Sequence, residues 1–243
     1  MNRHALPGNS AMVLAAGLGK RMYPLTIDRP KPLVEVAGKR LIDYAFDRLR
    51  SANIARAVVN VHYLAEQVED WALSQTAPEI VISDERRQLL DTGGGIKKAL
   101  GHLGPAPFFV LNSDSFWLDA TIPALERLRR AWDETQMDSL LLLSRQESAV
   151  GYEGAGDFHM DAGWRLSRRQ PGEKAPFIYA GCHLVAPSLF AGVPEGAFSM
   201  NLLWDAALAR GRLFGLTHDG LWIHVGRPES IAYAERTMES YAP

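Results

Sequence analysis

Ser10-Ala-Met-Val-Leu14-Ala-Ala-Gly17-Leu-Gly19-Lys20-Arg21-Met-Tyr-Pro24-Leu-Thr26 runs from an apolar segment straight into a glycine-rich turn. The run Ser10–Ala16, stopped by Gly17, predicts a buried parallel strand. A glycine turn directly after such a strand aims backbone N–H groups at a phosphate. The dinucleotide fingerprint would need a helix opening at this turn with a third glycine. Pro24, Pro30 and Pro32 deny it that helix, because proline lacks the N–H donor and clashes inside helices. A Walker-type loop is excluded as well, since no Gly-Lys-Ser/Thr follows. What remains is a long irregular loop carrying Lys20, Arg21, Arg29 and Lys31, which suits a polyphosphate.

Outward from that loop, strand and helix patterns alternate. Helical stripes are predicted over Leu41–Ala52, Leu64–Leu73 and Ile122–Trp132, with a short helix over Gly95–Leu100. Between them lie the strand-like runs Ala55–Val61, Glu79–Ser83, Phe108–Asn112 and Ser139–Ser144. This is the rhythm of βαβ units, so the expected class is α/β. A Rossmann-like, mostly parallel open sheet with helices on both faces is predicted over residues 10–145. Past that point a hairpin around Asp161-Ala-Gly163, a strand Phe177–Val185, a helix Asn201–Ala209, a strand Arg212–His218 and a closing helix Glu229–Tyr241 are expected. The reading is one domain over 1–243, with a nucleotide-binding front half and a smaller, β-rich substrate-binding part over 146–243.

Composition bounds the function. Of 243 residues, 26 are Lys or Arg and 28 are Asp or Glu, a net charge of −2, which argues against a nucleic-acid partner. Hydrophobic residues make up 47%, so the chain is a globular one rather than a disordered one. The single cysteine excludes a disulfide framework and fits a reducing compartment. No apolar run approaches the ~18 residues of a membrane span. The start Met1–Asn9 is short and polar, unlike a signal peptide, so a cytoplasmic location is expected. The oligomeric state stays open.

Leu-Ala-Ala-Gly-x-Gly-x-Arg-Met-x-Pro-Leu-Thr, followed by Pro30-Lys31-Pro32-Leu33, resembles the signature of sugar-1-phosphate nucleotidyltransferases. Further landmarks follow in family order: Asp91-Thr92-Gly93-Gly94-Gly95, Leu111-Asn112-Ser113-Asp114, Glu173-Lys174, Tyr179-Ala-Gly181 and Trp222-Ile-His224-Val-Gly226-Arg-Pro228. The resemblance implies attack of a sugar 1-phosphate on the α-phosphate of a nucleoside triphosphate. The short chain and the Thr-Gly-Gly-Gly form are most like members using UTP with N-acetylmuramic acid 1-phosphate. GTP with mannose 1-phosphate is the alternative, and a non-catalytic nucleotide-sugar sensor is the alternative of another class.

By the same resemblance, Arg21, Lys31 and Asp114 are the catalytic residues. Ala15, Ala16, Gly17, Gly19, Thr92, Gly93 and Asn112 would hold the nucleotide, with an N-cap role for Thr92 as the competing reading. Gly151, Glu173, Lys174, Gly181 and Asn201 would hold the sugar phosphate, and for Asn201 a cap or turn role competes. Asp114 is the implied ligand of Mg²⁺, with Mn²⁺ as the alternative. The family's second metal-binding aspartate is replaced by His224. Its roles stay open: ligand to a softer metal, phosphate contact, bond to a metal-bound water, or packing. Arg168, Arg169 and Arg227 are candidate cations for an acidic sugar substituent. His62 and Cys182 read as packing residues.

Overall fold

A computed structural model describes residues 7–241, so most of the polar start Met1–Asn9 lies outside the described residues. The front half contains β1 (Ser10–Leu14), β2 (Glu35–Val36), β3 (Lys39–Arg40), α1 (Leu41–Ser51), β4 (Arg56–Val61), α2 (Ala65–Leu73) and β5 (Glu79–Asp84). It continues through α3 (Asp91–Leu103), β6 (Phe108–Asn112), β7 (Ser115–Leu118), α4 (Ala124–Ala131) and β8 (Ser139–Arg145). Then come β9 (Ala149–Val150), β10 (Phe158–Met160), β11 (Leu166–Arg168), β12 (Phe177–Val185), α5 (Met200–Ala209), β13 (Leu213–Thr217), β14 (Leu221–His224) and α6 (Glu229–Ser240).

Among the described residues the main sheet has nine strands, and β6, β1, β4 and β5 are parallel neighbours in that order. Side chains alternate across it as strand geometry demands. Ala11, Val13, Val59 and Leu111 join one core with α1, α2 and α4, while Met12, Val58 and Val110 join another with α3 and α5. Both faces are therefore covered, which is why these strands read as unbroken apolar runs. The fold is α/β with a mostly parallel central sheet and helices on both faces.

Two expectations need correction. β8 does not extend the parallel sheet beside β6, because β12 inserts between them, antiparallel to both. β12 is nine residues long and bulged between Tyr179 and His183, so it pairs along both edges. The added β structure is also not confined to the back half. A second, three-stranded sheet in the order β7-β14-β9 draws β7 from the front half and packs on α6. No helix among the described residues is long and apolar enough to cross a membrane.

Candidate active site

The carboxyl ends of β1, β4 and β6 converge on a cavity of about 420 Å³. Ala15, Ala16 and Gly17 line one side, Asn112 and Asp114 another, with Lys31 and Thr92 at the rim. Open α/β sheets place ligands outside these strand ends, where neighbouring loops diverge. Gly19 does not line this cavity. It sits at φ +64°, where a side chain would crowd Thr26 and Lys31, and its carbonyl accepts the Thr26 hydroxyl at 2.9 Å. The Tyr63 hydroxyl donates to the carbonyls of Thr26 and Ile27 at 3.0 and 2.8 Å. The proline-rich loop is thus pinned at its middle, and Lys31 is presented from its far end.

Sequence reading missed what fixes the near end of the loop. Asn60, the penultimate residue of β4, accepts the Ala15 N–H at 2.7 Å and donates to Glu85 Oε1 at 2.8 Å. The other Glu85 oxygen accepts the Leu90 N–H at 2.9 Å. Glu85 is 1% exposed and Asn60 3%. A buried carboxylate of this kind needs such partners, and it links three loop segments around the cavity. The available signals were an asparagine inside an apolar strand and a glutamate one residue beyond the next strand.

The glycine run differs from expectation. Helix α3 starts at Asp91, not Gly95, so Gly93–Gly95 lie within it. The N–H groups of Gly93 and Gly94 both donate to the Phe198 carbonyl, at 2.9 and 3.0 Å, and are not free for a ligand. The bare glycines let the helix approach its neighbours. A Cβ on Gly93 would overlap the Phe198 ring and one on Gly94 the Gly196 carbonyl, while one on Gly95 would stand 2.7 Å from Glu85 Oε1. Thr92 does not cap α3 either: its hydroxyl accepts the N–H of Met200, the first residue of α5, at 2.8 Å.

Asp114 lies two residues past the end of β6. The Lys31 ammonium lies 3.2 Å from its Oδ2, and its backbone carbonyl accepts the Val225 N–H at 3.1 Å, which brings the end of β14 alongside. Burial works to raise the Asp114 carboxyl. The attraction of Lys31, with Arg21 behind it, outweighs burial and holds the group below its ordinary value. For His224 the largest influence is again burial, which lowers it; Asp114 opposes, and the net shift is downward, leaving a neutral imidazole at pH 7. Its ring stacks on Trp222 at 5.9 Å.

His224 faces a second cavity, of about 800 Å³, together with Arg21, Gly151, Arg227 and Tyr233. The expected catalytic groups are divided between two cavities: Lys31 and Asp114 line the first, Arg21 and His224 the second, and the Val225–Asp114 backbone bond ties their walls. Among the described residues no three His, Cys, Asp or Glu side chains gather as a metal cluster. One carboxylate suffices for Mg²⁺ where phosphates and waters supply the other oxygens, so Asp114 fits that ion. A neutral imidazole at His224 suits a softer cation better.

Other expected residues lie elsewhere. Lys174 lines a separate cavity with Arg145 and Pro176, and Glu173 Oε2 accepts the Gln170 N–H at 3.3 Å. Neither lines a cavity with Asp114. Gly181 lies against Ser115 and Asn112 at the β12 bulge. Asn201 is not a cap; Ser199 is, and the Asn201 Oδ1 accepts from Arg168 at 2.8 Å. Arg168 also pairs with Asp205, and Arg169 donates to backbone carbonyls of Gly156 and Glu173. Arg227 is more open, with Glu153 at 3.9 Å. Cys182 is fully buried, and burial pushes its thiol well up.

The nucleotidyl transferase family matches residues 10–153, which include the glycine loop, Lys31 and Asp114. The chain belongs to the nucleotidyl transferase family. It is 48% identical to the N-acetylmuramate α-1-phosphate uridylyltransferase of Caulobacter vibrioides, over 94% of this chain and 96% of that one. The enzyme of the same description from Neisseria meningitidis serogroup B is 33% identical, over 89% and 92%. Among solved structures, HddC from Yersinia pseudotuberculosis complexed with GMP-PN has the same fold, with a TM-score of 0.75 and 20% identity over 94% and 99%. This nucleotidyltransferase is thus an enzyme, and its likeness to the two uridylyltransferases extends over about nine-tenths of the chain or more.

Proposed function

We propose that this nucleotidyltransferase transfers a uridylyl group from UTP to N-acetylmuramic acid 1-phosphate. The observation that carries the reading is the near-full-length likeness to the Caulobacter vibrioides uridylyltransferase, at 48% identity. A phosphate oxygen of the sugar phosphate attacks the α-phosphorus of UTP, the bond to the β-phosphate oxygen breaks, and pyrophosphate leaves. Such transfer depends on positioning and charge neutralisation more than on covalent help. The Ala15–Gly17 backbone holds the nucleotide phosphates, Lys31 meets the charge that builds on the α-phosphate, and Arg21 receives the departing pyrophosphate. Asp114 holds Mg²⁺, which supplies further charge neutralisation at the phosphates when bound. The ordering of Ala15 by Asn60 and the Lys31–Asp114 pair at 3.2 Å support these roles.

The test is a competition. Purified enzyme receives equimolar UTP and GTP with N-acetylmuramic acid 1-phosphate and mannose 1-phosphate, and products are resolved by mass. UDP-N-acetylmuramic acid is the expected product, and GDP-mannose alone would overturn the substrate assignment.

A further inference from the structure

Close neighbours in sequence of the expected site side chains are gathered in a third, small core. Met22 follows Arg21, Val225 follows His224 and Val150 precedes Gly151, while Phe116 stands two positions past Asp114 and Val34 three past Lys31. Helix α6 closes one side of this core with Ala234, which is fully buried. The arms that carry Lys31 and Asp114 are therefore seated on one platform, and α6 is part of it. Close packing passes a shift of such a platform on to the groups mounted on it.

The Lys31 arm has a second tie to α6. Strands β2 and β3 come directly after Lys31-Pro32-Leu33-Val34 and are joined by Ala37 and Gly38, at φ +51° and +72°. Two positive φ values suit a two-residue hairpin turn, but alanine takes that conformation only at a cost. The Ala37 N–H donates to Glu235 Oε1 of α6 at 2.8 Å, across 198 positions of sequence. Ala37 is exposed, so water could satisfy this N–H, and the bond is not needed to pair a buried donor. A strained residue held by a distant side chain marks a place where the fold fixes a position. The rest of the hairpin leads back to the site. The Val34 N–H donates to the Lys31 carbonyl at 3.0 Å, and the Leu41 N–H to the Val34 carbonyl at 2.9 Å. The Tyr44 hydroxyl donates to the Val36 carbonyl at 2.8 Å, and its ring stacks on Phe116 of the Asp114 arm at 4.0 Å.

We propose that Glu235 is a positioning residue for nucleotidyl transfer: it seats the β2–β3 hairpin on α6, and the seated hairpin keeps the Lys31 ammonium at Asp114. The proposal rests on the role given to Lys31 in the preceding subsection, and on neither the base nor the sugar. Glu235 lines neither of the two cavities and acts through Lys31.

The experiment is a double-mutant cycle on kcat, run with whichever pair of substrates the competition above selects. Glu235→Ala is expected to lower kcat about tenfold, because small misplacements cost that much, and to change KM for the nucleotide less than about twofold. Glu235→Gln keeps an acceptor oxygen and should restore most of kcat. In a Lys31→Ala background, Glu235→Ala should lower kcat no further, because the group it positions is gone. Arg236→Ala, on the same helix, reports general loosening of α6 and should leave kcat at the wild-type value. Thermal unfolding checks every variant. Wild-type kcat in Glu235→Ala, the same loss in both backgrounds, or an equal loss in Arg236→Ala would overturn positioning through Lys31 and leave the role of Lys31 itself intact. Wild-type kcat in Lys31→Ala would overturn that role, and the proposal with it.

Discussion

The side-chain oxygen of Asn60 accepts the backbone N–H of Ala15 at 2.7 Å, so a residue at the end of one strand sets the first step of the loop leaving its neighbour. Glu85 holds Asn60 in turn, at 2.8 Å. Asn60→Ala would leave a buried N–H and a buried carboxylate oxygen without their partner, at about 1–3 kcal/mol each. The expected result is a loss of about 2 kcal/mol or more in urea unfolding. KM for UTP should rise about tenfold, with a smaller change in kcat. Unchanged KM in a destabilised variant would confine the network to stability.

Lys31 stands between two prolines and meets Asp114 at 3.2 Å. If it neutralises charge that builds during transfer, Lys31→Ala lowers kcat about 10²- to 10³-fold and changes UTP affinity far less. Lys31→Arg should recover only part of this, because a planar fork does not replace a point charge. Steady-state kinetics beside a UTP binding titration separates the two quantities.

Acidification should destabilise the enzyme through its buried imidazoles. Burial lowers His183 to about 3, and burial is also the main cause of the downward shift at His218. Between an unfolded value near 6.5 and those native values, the unfolded chain takes up protons that the native state refuses. Stability is therefore full above about pH 6.5 and falls as the pH drops, by up to about 1.4 kcal/mol per unit through His183, with His218 acting in the same direction. Urea titrations at pH 7, 6 and 5 measure the slope. His183→Phe should flatten it, and identical slopes would contradict the burial argument.

Two glycines of α3 make opposite predictions. A Cβ on Gly94 would overlap the Gly196 carbonyl, whereas one on Gly101 meets nothing within 4 Å. Gly94→Ala should cost about 1–3 kcal/mol through overpacking. Gly101→Ala should stabilise by roughly 0.5–1 kcal/mol, since alanine is the better helix former. Thermal unfolding of both variants checks the sign.

Much of this fold was legible in the sequence because covered parallel strands are unbroken apolar runs and their helices carry 3.6-residue stripes. Pro24, Pro30 and Pro32 were equally readable, because proline excludes a helix whatever surrounds it. The insertion of β12 between β6 and β8 was not legible, since strand order depends on partners far apart in sequence. Gly93 and Gly94 read as preceding the helix because glycine is a poor helix former; packing against Phe198 and Gly196 outweighs that preference. Strands β9 and β14, of two and four residues, are too short for a period to declare itself. At the site, Ala15, Ala16, Asn112 and Asp114 were named through the family resemblance, and the structure brings them to one cavity. Asn60 and Glu85 were not, because their partners are buried backbone and each other. Glu173 and Lys174 were placed by family order alone, and they stand apart from Asp114.

The most direct test is pyrophosphate release with UTP, N-acetylmuramic acid 1-phosphate and Mg²⁺, measured for the wild type and for Asp114→Asn, with UTP binding measured on the same preparations. The account predicts steady turnover by the wild type and a loss of about 10³-fold or more in the variant, which still binds UTP. Wild-type turnover in Asp114→Asn, or no pyrophosphate from a wild-type enzyme that binds UTP, would contradict it.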